Sequence, residues 1–176
     1  MYFLPLLLAC QDSLHTPGGA QYHGTSVHEK EETSSNDHFG YDDREISLSF
    51  YEREVLTLVN EHREVEDLHA LDIHDVLVEI ARKHSMDMAM GFLPLGHDGF
   101  ENRTEEALNY FEHSTYEIAE NVGMARGNNA SQAAVDMWLD STGHRDNIEG
   151  PYTLSGIGSY ERDGAIYFTQ IFLSVD

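Results

Sequence analysis

From residue 47 onward the chain carries two alternating hydrophobic rhythms. Val55, Leu56, Val59, His62 and Arg63 recur at i, i+3, i+4 spacing and predict a first helix, with Ser47 or Ser49 placed to cap it. A second stripe, Ile73, Leu77, Ile80, Ala81, His84 and Met88, predicts a helix opened by Asp72 or Asp75 and ending near Gly91. His84 lies on that stripe and reads as a satisfied core residue. Gly91, Pro94, Gly96 and Gly99 break the pattern. A shorter helix is expected over residues 100–113, with Ala107, Leu108 and Phe111 inward, and a short extended segment from Tyr116 to Gly123. Ser131 then starts a fourth helix, striped by Ala134, Met137, Trp138 and Ser141 and stopped by Gly143.

The C-terminal rhythm has period two. Ser155 to Tyr160 runs out, Arg162-Asp163-Gly164 turns, and Ala165 to Leu173 returns as a hairpin. On the return strand Ile166, Phe168, Gln170 and Phe172 share one face, and Tyr167, Thr169, Ile171 and Leu173 the other. Both faces are largely apolar, so the strand is expected at the centre of a sheet covered on both sides. Helices followed by such strands predict an α+β fold, a three-layer α-β-α sandwich around a central antiparallel sheet, over residues 46–176.

The N-terminal part has neither rhythm. Residues 11–45 are rich in Gly, Ser, Thr, His, Asp and Glu, and read as a disordered linker. His15, His23, His28 and His38 lie in it at irregular intervals, which fits a tether better than a metal-collecting tail. Residues 1–10 are apolar and end in Leu7-Leu8-Ala9-Cys10, similar to the lipobox that closes a bacterial lipoprotein signal peptide, so lipidation of Cys10 is expected. Cys10 is the single cysteine, which excludes an internal disulfide. Ten Lys+Arg against 32 Asp+Glu give a formal charge of −22, which argues against nucleic acid and against electrostatic attachment to anionic lipid. Any membrane association is therefore expected through Cys10 alone.

The densest candidate chemistry is Trp138-Leu-Asp-Ser-Thr-Gly-His-Arg-Asp-Asn-Ile-Glu-Gly150: the only tryptophan, then His144, Arg145, Asp146 and Asn147 in a row. Arg145 and Asn147 suit a structural role at a helix end, while His144 suits a cleft, because imidazole is a frequent metal ligand. No Ser stands in a Gly-x-Ser-x-Gly context, which disfavours a nucleophilic hydrolase.

Seven segments then coincide in order and spacing: Val59-Asn-Glu-His-Arg63; Ala81-Arg-Lys-His84-Ser85 with Met88-Ala89; Gly96-His97-Asp98-Gly-Phe100; Ala119-Glu120-Asn121-Val122; Trp138 through Ile148; Gly156-Ile-Gly158; and Tyr167-Phe-Thr-Gln-Ile-Phe172. Together they resemble the CAP superfamily (cysteine-rich secretory protein, antigen 5 and pathogenesis-related 1; the SCP domain) in its bacterial, cysteine-poor branch. The resemblance implies the α-β-α sandwich already read from the rhythms. It also implies a cleft binding a divalent metal, Zn²⁺ by its ligand types, through His97, Glu120 and His144. Asp98, Asn121, Arg145 and Asn147 would line the cleft or stand behind the ligands, Asp98 orienting His97 and Asn121 holding the loop. Two departures stand out: Ala119 replaces the usual Gly, its β-carbon expected to press on the cleft, and Ser141 takes the place of a second cleft acid.

Three functional classes follow. The first is an exported, secreted or envelope-anchored binding module for a metal, a small ligand or an extracellular polymer. The second is a metal-dependent hydrolase of peptide or peptidoglycan, with Glu120 as candidate base and a metal-bound water as nucleophile. The third is a lipid or sterol carrier, which the resemblance alone suggests.

Overall fold

The computed structural model describes residues 20–25, 46–111 and 115–175. In chain order the elements are β1 (Ala20–Thr25), α1 (Phe50–Val65), β2 (Asp72–Ile73), α2 (Asp75–Met90), α3 (Phe100–Leu108), β3 (Thr115–Arg126), α4 (Ala130–Asp140), α5 (Thr142–Ile148), β4 (Leu154–Arg162) and β5 (Ala165–Val175). The strands form one sheet in the order β1-β3-β5-β4-β2. Its pairings are antiparallel except at one edge, where the two residues of β2 run parallel to β4. The Cys10 lipobox lies outside the described residues.

β5 takes the central position, and its two apolar faces fill two cores. Ile166, Phe168 and Phe172 pack with Val55 and Val59 of α1 and Ala134, Val135 and Trp138 of α4. Ile171 and Leu173 pack with Leu77, Ile80 and Ala81 of α2 and Phe100 and Ala107 of α3. Each buried Val, Leu, Ile or Phe among them contributes about 1.5–3 kcal/mol, so neither helical layer can lift away cheaply. The result is the α-β-α order expected from the alternation. At the hairpin tip Asp163 and Gly164 both have positive φ, 52° and 71°, the requirement of a two-residue type I′ turn that matches strand twist.

The structure settles one boundary that the periodic reading left open and moves several others. Ser49, not Ser47, caps α1, because its side chain accepts from Glu52 N while the Glu52 side chain returns to Ser49 N. α3 stops at Leu108 rather than 113, and β3 is 12 residues long rather than a short segment. Residues 20–25, inside the stretch read as disordered linker, form an edge strand on β3. Backbone ladder bonds need no hydrophobic pattern, so a polar segment can occupy an open sheet edge without announcing itself. Finally, α4 does not end at Gly143. Ser141 turns extended (ψ 121°), and the chain restarts as α5 with Gly143 inside it.

That restart decides which of the polar row faces inward. In α5, Gly143, His144, Asn147 and Ile148 are buried, whereas Arg145 and Asp146 are exposed. The i, i+3, i+4 rule of a helix surface sorts residues that adjoin in sequence onto opposite sides.

Candidate functional site

The site is built on two consecutive residues of β3. Successive strand side chains point to opposite faces, so Glu120 reaches the α2–α3 layer and Asn121 the α5 side. Trp138 fixes the neighbouring helix: its indole N–H donates to Val122 O at 3.0 Å. Asn121 Nδ2 donates to His144 O at 3.0 Å. Asn147 Nδ2 donates to Asn121 Oδ1 at 2.9 Å and to Glu120 O at 3.3 Å. Asn147 Oδ1 in turn accepts from Gln21 of β1 at 2.7 Å. The two asparagines thus tie α5, and with it His144, to the strand that carries Glu120.

Glu120 is fully buried and its carboxylate is fully engaged. Arg103 grips both oxygens: Nε to Oε2 at 2.6 Å and Nη2 to Oε1 at 2.7 Å. His97 Nδ1 lies 3.0 Å from Oε1 and donates to it. His84 Nδ1 lies 3.6 Å from Oε2. Burial by itself would raise the Glu120 carboxyl, but the hydrogen bonds from His97 and Arg103, with the Arg103 charge, hold it below its usual value of 4.5. The carboxylate is therefore a poor proton acceptor and a firm anchor.

Arg103 is the residue that hydrophobic periodicity passed over. It sits on the buried stripe of α3 with Phe100, Thr104 and Ala107. An arginine on such a stripe is itself a signal, because buried guanidinium groups are almost always paired. Its Nη1 also donates to Asp98 O at 2.8 Å. Asp98 thus contributes its carbonyl to Arg103, while the acid that orients His97 is Glu120.

His97 and His144 face one another with ring centroids 6.2 Å apart. His144 is buried, whereas the His97 side chain is 27% exposed. With Nδ1 committed to Glu120, the Nε2 edge of His97 is the one left for a ligand. Arg145 lies outside this wall; its Nε donates to Leu139 O at 2.6 Å and fastens α5 to the end of α4. Ala119 is packed in the core on the opposite face from Glu120, so its β-carbon does not crowd the cleft.

The donor set fits a three-ligand metal poorly. Three protein ligands on one Zn²⁺ need donor atoms on a common shell of about 2 Å radius. Among the described residues the set of three His, Cys, Asp or Glu donors that all approach within 4.8 Å is His62, Glu66 and Glu149, not His97, Glu120 and His144. Arg103 already supplies a cation to both Glu120 oxygens, where a metal would have to displace or face it. Glu120 stands behind His97 and holds its Nδ1, as carboxylates commonly do behind a ligand imidazole.

His84 completes the buried wall beneath Glu120. Its Nδ1 lies 3.1 Å from Thr169 Oγ1, and Ser85 Oγ donates to the same oxygen and to Gly158 O. Burial first, then the Arg103 and His97 charges, push it down to about 4, only partly opposed by Glu120. A histidine held neutral by the fold contributes stability that is complete above its unfolded value of 6.5. That contribution is lost as pH falls from 6.5 to about 4. Chemical denaturation of His84→Asn against pH should therefore show a flatter profile than the parent across that window. An unchanged profile would assign the slope elsewhere.

Comparison with known proteins places these elements. The Cysteine-rich secretory protein family, CAP, matches residues 56–172. The uncharacterized protein YkwD of Bacillus subtilis (strain 168) is 30% identical over 143 residues, 72% of this chain and 48% of its own length. The chain thus spans about half of the curated relative it matches. An extracellular protein containing a SCP domain from Bacillus anthracis str. Ames superposes with a TM-score of 0.56 at 26% identity, covering 69% of this chain and 39% of that one. A cysteine-rich secretory protein of Staphylococcus aureus subsp. aureus Mu50 gives 0.54 at 25%, covering 70% and 38%. An outer surface protein of Borrelia burgdorferi shares the fold, with a TM-score of 0.56 at 18% identity over 74% of this chain and 97% of that one. The family match spans the helices, the hairpin and the Glu120–Asn121 junction alike, and this chain belongs to the cysteine-rich secretory protein family.

Proposed function

We propose that this domain is an exported binding module, and that its cleft holds a small polar ligand or a segment of an extracellular polymer between His97 and His144. The observation that carries this reading is the engagement of Glu120. A carboxylate gripped by a buried arginine and one imidazole orients a wall; it does not accept a proton readily, and a metal on it would have to share its oxygens with the Arg103 cation. Export is supported by the extracellular and outer-surface proteins among the structures it resembles. A thioether-linked lipid on Cys10 would hold the module at the envelope. Among the described residues no helix is long and apolar enough to cross a membrane.

The test is retention against turnover on purified peptidoglycan and peptide libraries. The wild type should retain material that His97→Ala and His144→Ala release, with the polymer length distribution unchanged. Shortening of the polymer by the wild type, abolished in a folded Glu120→Gln variant, would replace this reading with the hydrolytic one.

A further inference from the structure

We infer that the α1–α5 corner is a divalent-metal site built from His62, Glu66 and Glu149. This inference is independent of the cleft reading. Among the described residues it is where three donors converge: one nitrogen and two carboxylate oxygens all lie within 4.8 Å of one another. His62 and Glu66 stand one turn apart at the end of α1, so helical spacing puts both on the same side. Glu149 is the C-cap of α5 and comes from the opposite element. His62 Nε2 already lies 2.9 Å from Glu149 Oε1. Holding two of the three donors at this separation removes much of the ordering cost that a surface chelate otherwise carries.

The chemistry selects the ion. One imidazole with two carboxylates suits a borderline divalent ion such as Zn²⁺, with water completing the shell. The corner also lies at two helix C-termini, the end of the helix dipole that favours a cation. Neither His62 nor Glu149 is lost in the core; their side chains are 20% and 33% exposed, so an ion can enter.

Position gives the site a consequence. Next to His62, Arg63 is buried and donates to His69 O at 2.8 Å, Ile148 O at 2.6 Å, Gly150 O at 3.0 Å and Tyr152 O at 3.1 Å. It fastens the same end of α5 from within. A metal joining Glu149 to α1 would clamp that end from outside, just past the buried His144 and Asn147. The metal thereby braces the cleft wall without entering the cleft.

Zinc titration of the full chain, by calorimetry at neutral pH with thermal unfolding in parallel, tests this. The wild type should bind an equivalent of zinc and melt at a higher temperature with it. His62→Ala and the isosteric Glu149→Gln should lose both effects while keeping the wild-type circular dichroism. His97→Ala combined with His144→Ala should keep them. Absence of zinc binding in the wild type overturns the inference. So does binding that survives His62→Ala, or binding that disappears in the His97–His144 double variant alone. That last result would put the ion in the cleft. Binding that survives all of these variants would belong to the histidines of residues 15–38 and would overturn it equally.

Discussion

Replacing Arg103 with Met should destabilise the domain by about 3–5 kcal/mol, the cost of stranding a buried charge when its partner is removed. A typical domain has about 5–15 kcal/mol in total, so this is a substantial fraction. The substitution keeps an unbranched apolar stem but removes both Arg103 donors to Glu120, whose oxygens have no solvent to turn to. Urea denaturation measures the loss. Adding Glu120→Gln to Arg103→Met should recover part of it, because the uncompensated charge is gone, and the double-mutant cycle should report strong coupling. A single-variant cost below about 1 kcal/mol, typical of an exposed pair, would show that this ion pair does not hold the cleft wall. The pH dependence has a fixed sign. Glu120 is held below its usual 4.5, so its contribution is present above that value and is lost as pH falls through the lower folded one. Arg103→Met should remove that acid-side loss.

An equally large effect is expected where α2 meets the hairpin. Gly156 and Gly158 of β4 lie directly beneath α2. A Cβ on Gly158 would fall inside van der Waals contact with Arg82 N and the Ala81 carbonyl group, and one on Gly156 would meet Leu77 C and Val78 N. These are backbone atoms of a packed helix, so no rotamer change relieves the clash and the helix must move. Gly158→Ala should cost about 3 kcal/mol, the upper end for overpacking. Gly156→Ala with Gly158→Ala should abolish cooperative unfolding. Moving α2 would also pull His84 and Ser85 away from Thr169, so the loss of the His84 pH slope should accompany the loss of stability. Wild-type stability in Gly158→Ala would mean that the helix sits less tightly on the sheet than the structure places it.

Much of the architecture was legible because burial has a period. The 3.6 rhythm of α1 and α2 and the period-two faces of β5 each name a surface that must be covered, and covering both faces of one strand forces three layers. Two kinds of feature left no such trace. β1 pairs through backbone groups, which every residue carries, so its polar sequence reads as linker. Asp98 follows His97 in sequence, and adjacency makes it the expected orienting acid. Yet Glu120, 23 residues beyond His97, makes that bond, because sequence adjacency does not fix side-chain direction.

The same division runs through the site. The sequence by itself determined the sandwich and the hairpin, which follow from local periodicity, and the family, which follows from motifs in fixed order; His97, Glu120 and His144 came in only as what the resemblance implies. Only the tertiary structure decided what Glu120 does. Its partner Arg103 comes from a different element, and whether a carboxylate serves as ligand, base or anchor depends on which cation occupies it after burial. The fold likewise brought His62 and Glu66 to Glu149, more than 80 residues away along the chain, a convergence set by the packing of α5 against α1 that no local pattern encodes.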